Sequence, residues 1–113
     1  MQVSREIKNG VQVITLSGKL DGTTSPKAQE MILASLDTAS QVVIDMSRCS
    51  YVSSAGLRVL LNLAKILARN SGQGVLAGLV AEVADVMKIT GFGNVFPCYA
   101  DVDTGIAALK RKK

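Results

Sequence analysis

The sequence predicts an α/β domain: a mixed β-sheet opened by an N-terminal hairpin and covered by amphipathic helices, in the order β-β-α-β-α-β-α-β-α. Three observations predict it. Asn9-Gly10, the strongest short hairpin signal, joins two segments that read as strands. Val42, Val43 and Ile44 form a continuous β-branched run, the pattern of a strand covered on both faces. Segments with apolar residues at helical spacing alternate with the later strands, and each apolar stripe must be buried against a sheet face.

The opening strands are expected over residues 2–8 and 11–17, the second reading VQVITL, with Ser17-Gly18 as its break. Thr23, Thr24 or Ser25 caps the first helix, with Pro26 in its first turn and Ala28, Met31, Ile32, Ser35 and Leu36 on its inner side. The central strand at Val42 to Ile44 is followed by a loop from Met46 to Val52. A second helix starts at Ser53 or Ser54, packs through Leu57, Leu60, Leu61, Ala64, Ile66 and Leu67, and ends at Asn70-Ser71-Gly72. Then come a strand over 75–79, a helix over 81–90 closed by Gly91, a short strand over 95–99 and a helix over 102–109.

A chain of 113 residues, 48% hydrophobic, supports one core and therefore one domain, expected over 1–109. Its net charge of +4 resides in Lys110, Arg111, Lys112 and Lys113, since the rest of the chain carries nine positive and nine negative residues. The basic tail at 110–113 reads as a solvated end, so neither direct nucleic-acid binding nor membrane insertion is expected. No run of 18 apolar residues occurs, and the N-terminus lacks a secretory pattern, which leads to the expectation of a soluble, cytoplasmic protein.

Histidine is absent, which removes the commonest general base, the usual partner of a serine nucleophile and the commonest metal ligand. Lys65 lies three turns along the helix from Ser54 and cannot activate it within that helix. Cys49 and Cys98 have no metal-site spacing and are expected to be reduced, structural thiols. Gly72-Gln73-Gly74 and Gly91-Phe92-Gly93 are isolated Gly-x-Gly pieces, and no P-loop occurs, so no cofactor is expected. Asp45 stands without a second carboxylate or histidine near it in sequence and reads as a loop cap. The expectation is a binding protein and not an enzyme.

Chemistry concentrates in VVIDMSRCSYVSSAGLRVLL, Val42 to Leu61, where a buried strand leads into an amphipathic helix that begins with two serines. On spacing alone Ser53-Ser54 is a helix cap. The same position tolerates a phosphate, because unpaired amides and the helix dipole favour negative charge there. A phosphate adds about −1.5 to −2 charges without melting the helix, so its effect would fall on a partner. Ala55 and Gly56 leave the helix start open to close approach by another protein, and Arg58 is placed to meet an acidic partner or a phosphate.

The strand ending Ile44-Asp45 and the stretch Ser53-Ser54-Ala55-Gly56-Leu57 resemble the phosphorylation-site signature of STAS-domain anti-sigma factor antagonists. The likeness extends over nearly the whole chain: Ser17-Gly18-Lys19-Leu20-Asp21 resembles the family's Gly-x-Leu-Asp, and Val75 to Leu79 and Ile89 to Phe92 match a later strand and helix end. The resemblance implies a STAS-like fold and a phosphate acceptor at Ser54, aligned through Gly56-Leu57. Partner contacts are implied for Asp21, Thr23, Thr24, Ser53, Ala55, Gly56 and Arg58; spacing alone reads Asp21, Thr23 and Thr24 as turn and cap residues. The chain departs from the family's commonest pattern in having Ser53 where an aspartate often stands and Ala55 where a second serine often follows.

The implied partners are an anti-sigma factor serine kinase and a serine phosphatase acting on phospho-Ser54. Unphosphorylated protein would bind the kinase and free a sigma factor. The alternative is a STAS subunit of another assembly, a lipid-transport ATPase or a signalling complex, acting by protein binding without phosphorylation.

Overall fold

The computed structural model describes residues 1–36 and 41–111; the side chain of Ser35, Lys112, Lys113 and the expectations resting on them lie outside the described residues. The elements follow the expected order: β1 (Gln2–Lys8), β2 (Val11–Leu20), α1 (Ser25–Ser35), β3 (Gln41–Val52), α2 (Ser54–Arg69), β4 (Gln73–Ala77), α3 (Ala81–Thr90), a 3-10 turn (Phe92–Asn94), β5 (Cys98–Tyr99) and α4 (Val102–Arg111). Asn9 and Gly10 both take positive φ, 55° and 79°, the mirror-image turn that matches strand twist, and Lys8 pairs with Val11 across it.

The strands lie in chain order, β1-β2-β3-β4-β5, antiparallel in the hairpin and parallel thereafter. Right-handed crossovers that keep stepping in one direction place their helices on one face of a sheet. Accordingly, residues of α1, α2 and α3 such as Ile32, Leu60, Leu63 and Met87 pack with Ile14, Leu16, Ile44 and Leu76. After β5 the chain turns back, and α4 seals the other face with Ile106 and Leu109 on Val13, Val43 and Val75. Gln41 Nε2 donates to the Leu109 carbonyl at 3.0 Å, fastening the end of α4 to the start of β3.

Five elements differ in their boundaries from expectation. Met46 to Val52 is not a loop: β3 continues to Val52, and β2 continues past Ser17-Gly18 to Leu20. Between Thr15↔Asp45 and Ser17↔Arg48, and again between Gly18↔Cys49 and Lys19↔Tyr51, β3 advances one residue more than β2. Each extra residue is a bulge, so the buried residues there, Met46, Cys49 and Val52, recur at every third position instead of every second. Asp45 caps the first bulge, Oδ1 accepting from the Ser47 amide at 3.0 Å.

β4 begins two residues earlier than expected and stops before Gly78, whose φ of 71° leaves the strand conformation. Only Cys98 and Tyr99 form β5; Val95 and Phe96 follow the 3-10 turn, and Phe96 is buried in the core beside Phe92. Finally, α4 extends to Arg111, two residues past the expected end, so Lys110 and Arg111 lie in its last turn, where the helix dipole favours cations.

Candidate functional site

The end of β2 and the end of β3 deliver two helix starts to one place. Leu20 pairs with Val52 in the sheet, and the Leu20 carbonyl accepts from the Ser53 amide at 2.9 Å. The bulges set this meeting point, since they lengthen β3 until it runs level with β2. From here one chain segment turns through Asp21 to Thr24 into α1, and the other passes through Ser53 into α2.

The turn before α1 is held by Asp21. Its Oδ1 accepts from the Thr23 amide at 2.9 Å, the Thr23 hydroxyl at 2.7 Å and the Thr24 amide at 3.1 Å. These donors, the Thr23 hydroxyl foremost, favour the carboxylate and hold Asp21 below its ordinary value of 3.8. Thr24 occupies the cap position but makes no side-chain cap; its hydroxyl donates to the Lys19 carbonyl at 2.7 Å and accepts from the Asp21 amide at 2.9 Å. Capping at this turn therefore belongs to Asp21, where the threonines or Ser25 were expected.

Ser53 and Ser54 stand on opposite sides of the helix boundary that spacing left open. Ser53, extended at φ −89° and ψ 178°, is the cap of α2, its Oγ accepting from the Gly56 amide at 3.3 Å. Ser54 is the first residue inside the helix, exposed and without a side-chain hydrogen bond among the described residues. The first turn holds no acidic residue, so the positive end of the α2 dipole is not offset there.

Ala55 and Arg58 line a groove of about 210 Å³ with Gly22, Ser25, Pro26, Gln29 and Val59, between the first turns of α1 and α2. The structure thus brings the turn at Asp21 to Thr24 beside Ser53, Ala55 and Arg58. Gly56 does not share that surface. It is buried, and a Cβ there would lie 2.6 Å from the Leu20 carbonyl oxygen, so its small size admits β2 and not another protein.

Ser25 is a groove residue that sequence reading treated only as a possible cap. It is 5% exposed, and its Oγ has no hydrogen-bond partner among the described residues. Pro26 immediately after it was the available signal, since a proline in the first turn places its neighbour at the helix mouth.

Other chemistry is sparse. Cys49 is buried in the core while Cys98 is exposed, so the expectation of structural thiols fits Cys49 alone; burial raises the Cys49 thiol above its ordinary 9.0. Among the described residues no three His, Cys, Asp or Glu side chains gather as metal ligands, and no helix is long and apolar enough to cross a membrane.

Comparison with known proteins agrees with the fold. The family model described as the STAS domain matches residues 2–105. A protein of Bordetella bronchiseptica described as a candidate anti-sigma factor antagonist, BtrV, is 32% identical over 97% of this chain and 96% of its own length. The anti-sigma F factor antagonist of Paenibacillus polymyxa is 26% identical over 88% of this chain and 86% of its own. Among solved structures, an anti-sigma factor antagonist from Mycobacterium paratuberculosis superposes with a TM-score of 0.87 at 26% identity, covering 96% of this chain and 93% of that one.

Proposed function

The chain belongs to the STAS-domain family, and from that premise we propose that it is an anti-sigma factor antagonist switched by phosphorylation at Ser54. Unphosphorylated, it binds an anti-sigma factor that is also its serine kinase, so that a sigma factor is released. Phosphate on Ser54 ends the binding, and a serine phosphatase restores it. The chain is substrate and regulator, not enzyme, and works in the cytoplasm. The partner-facing surface is Asp21, Thr23 and Thr24 with Ser53, Ala55 and Arg58, around the acceptor.

One observation carries this reading: the cap of α2 is made by Ser53, which leaves the exposed Ser54 hydroxyl with no structural task. Helix initiation therefore does not compete with transfer of a phosphoryl group to that oxygen. Once there, the dianion lies in a surface that a partner must cover closely. It would lose hydration or meet an unpaired charge, and a loss of about 3–5 kcal/mol lowers affinity by orders of magnitude.

The test is incubation with candidate anti-sigma kinases and ATP, phosphosite mapping by mass spectrometry, and binding assays on Ser54→Ala and Ser54→Asp. Phosphate at Ser54, retained binding by Ser54→Ala and weakened binding by Ser54→Asp are expected. Phosphate confined to other residues, or equal binding by both variants, removes the assignment.

A further inference from the structure

We infer that Arg58 is the intramolecular counterion of the phosphate on Ser54, so that phosphorylation both adds a dianion and withdraws a free cation from the partner-facing groove. The inference rests on the proposed modification of Ser54 and specifies how this chain holds the modified state.

Ser54 and Arg58 are four residues apart on α2 and both exposed, which places them one above the other on one face of the helix. Residues so spaced have Cβ atoms about 5–6 Å apart, within reach of an arginine side chain. The order is the favoured one, negative group first and cation four residues later. A planar guanidinium can give two parallel N–H donors to two phosphate oxygens, which a lysine cannot.

Neither side chain is committed to another partner among the described residues. Arg58 has no ion pair or side-chain hydrogen bond among the described residues, and the first turn of α2 contains no acidic side chain. Residue 53, the neighbour whose carboxylate would repel a phosphate and attract the arginine, is a neutral serine committed to the cap. Before modification Arg58 stands at the groove with Ser25, Gln29 and Ala55, where a partner group would meet it. After modification the nearest dianion is on its own helix.

The experiment installs phosphoserine at position 54 of the full chain by genetic encoding and follows the second phosphate ionisation by phosphorus NMR. A counterion favours the dianion, so Arg58→Gln is expected to raise that pKa by about 0.3 pH unit in low salt. The difference should shrink as ionic strength rises. Lys65→Gln, which removes an exposed cation further along α2, should titrate as wild type. Coincident titrations of wild type and Arg58→Gln, or an equal shift in Lys65→Gln, overturn the inference. Because the phosphate is encoded and not enzymatically added, that outcome leaves the switching proposal standing. Failure of every kinase to modify Ser54 would sink the switch without altering this measurement.

Discussion

Replacing Gly56 by alanine sets a local preference against packing, and the distances decide which wins. Alanine favours the helix over glycine by about 1 kcal/mol in an ordinary turn. Here the added methyl would lie 2.6 Å from the Leu20 carbonyl oxygen, 2.9 Å from Leu20 Cγ and 3.0 Å from Val52 Cγ1. The closest atom is backbone and cannot rotate aside, so the cost belongs in the upper part of the range of about 1–3 kcal/mol for overpacking. The net expectation is destabilisation by about 1–2 kcal/mol, or roughly 3–8 °C in melting temperature for a domain of this size. Urea and thermal unfolding followed by circular dichroism provide the measurement. Gly93→Ala is the comparison, because nothing lies within 4 Å of a Cβ there, and it should be neutral or slightly stabilising. The Leu20 carbonyl also accepts from the Ser53 amide, so the clash should displace the start of α2 and slow phosphorylation of Ser54. A Gly56→Ala protein as stable as wild type would refute the packing argument and return Gly56 to the partner-facing surface.

Further expectations follow from the same geometry. Ser53→Ala removes the α2 cap and should cost about 1 kcal/mol in urea unfolding, whereas Ser54→Ala should change stability by less than about 0.5 kcal/mol; the reverse ranking would exchange their roles. Asp21 and Asp101 both titrate below 3.8, Asp21 chiefly through the Thr23 hydroxyl and Asp101 chiefly through the Thr104 amide. Their folded values are depressed, so their contributions are complete above the unfolded value and disappear as pH falls through the folded ones. An Asp21→Asn, Asp101→Asn double variant should therefore show a shallower loss of stability below about pH 4 than wild type, and an unchanged slope would contradict these bonds. Cys98 should react with a maleimide in native protein while Cys49 is protected until unfolding, read by mass spectrometry; native labelling of Cys49 would contradict its burial.

The parts of this molecule that were legible in its sequence are those where one local rule dominates. Asn9-Gly10 demands positive φ at consecutive residues, and few turns other than the observed one supply it. Gly91 at the end of α3 is left-handed for the same kind of reason. Element order followed, because each apolar helix stripe must be buried against the sheet, whichever face it takes. The residues from Met46 to Val52 were not legible as strand, because two bulges change the burial period from two to three and period two is the strand signal. Their misreading concealed how the site is assembled, since the extended β3 is what carries Ser53 to Leu20. Gly56 was misread for a related reason: a small residue looks the same in sequence whether it makes room for a partner or for its own chain. Ser54 as acceptor came from family resemblance. The structure contributes the assignment of the cap to Ser53, which leaves the Ser54 hydroxyl exposed and uncommitted and which spacing could not provide.

The sheet whose strands lie in chain order also bears on how the protein is made. A chain synthesised from its N-terminus needs no later strand in order to pair an earlier one, because β2, β3, β4 and β5 each add to the edge left by the strand before. The three-helix face can grow with the sheet, one crossover at a time. The opposite face cannot: Val13, Val43 and Val75 gain their cover from Ile106 and Leu109, which follow all five strands in the chain. A nascent chain lacking α4 would hold a formed three-helix face over an uncovered apolar stripe on the other side of the sheet, a state exposed to aggregation during synthesis.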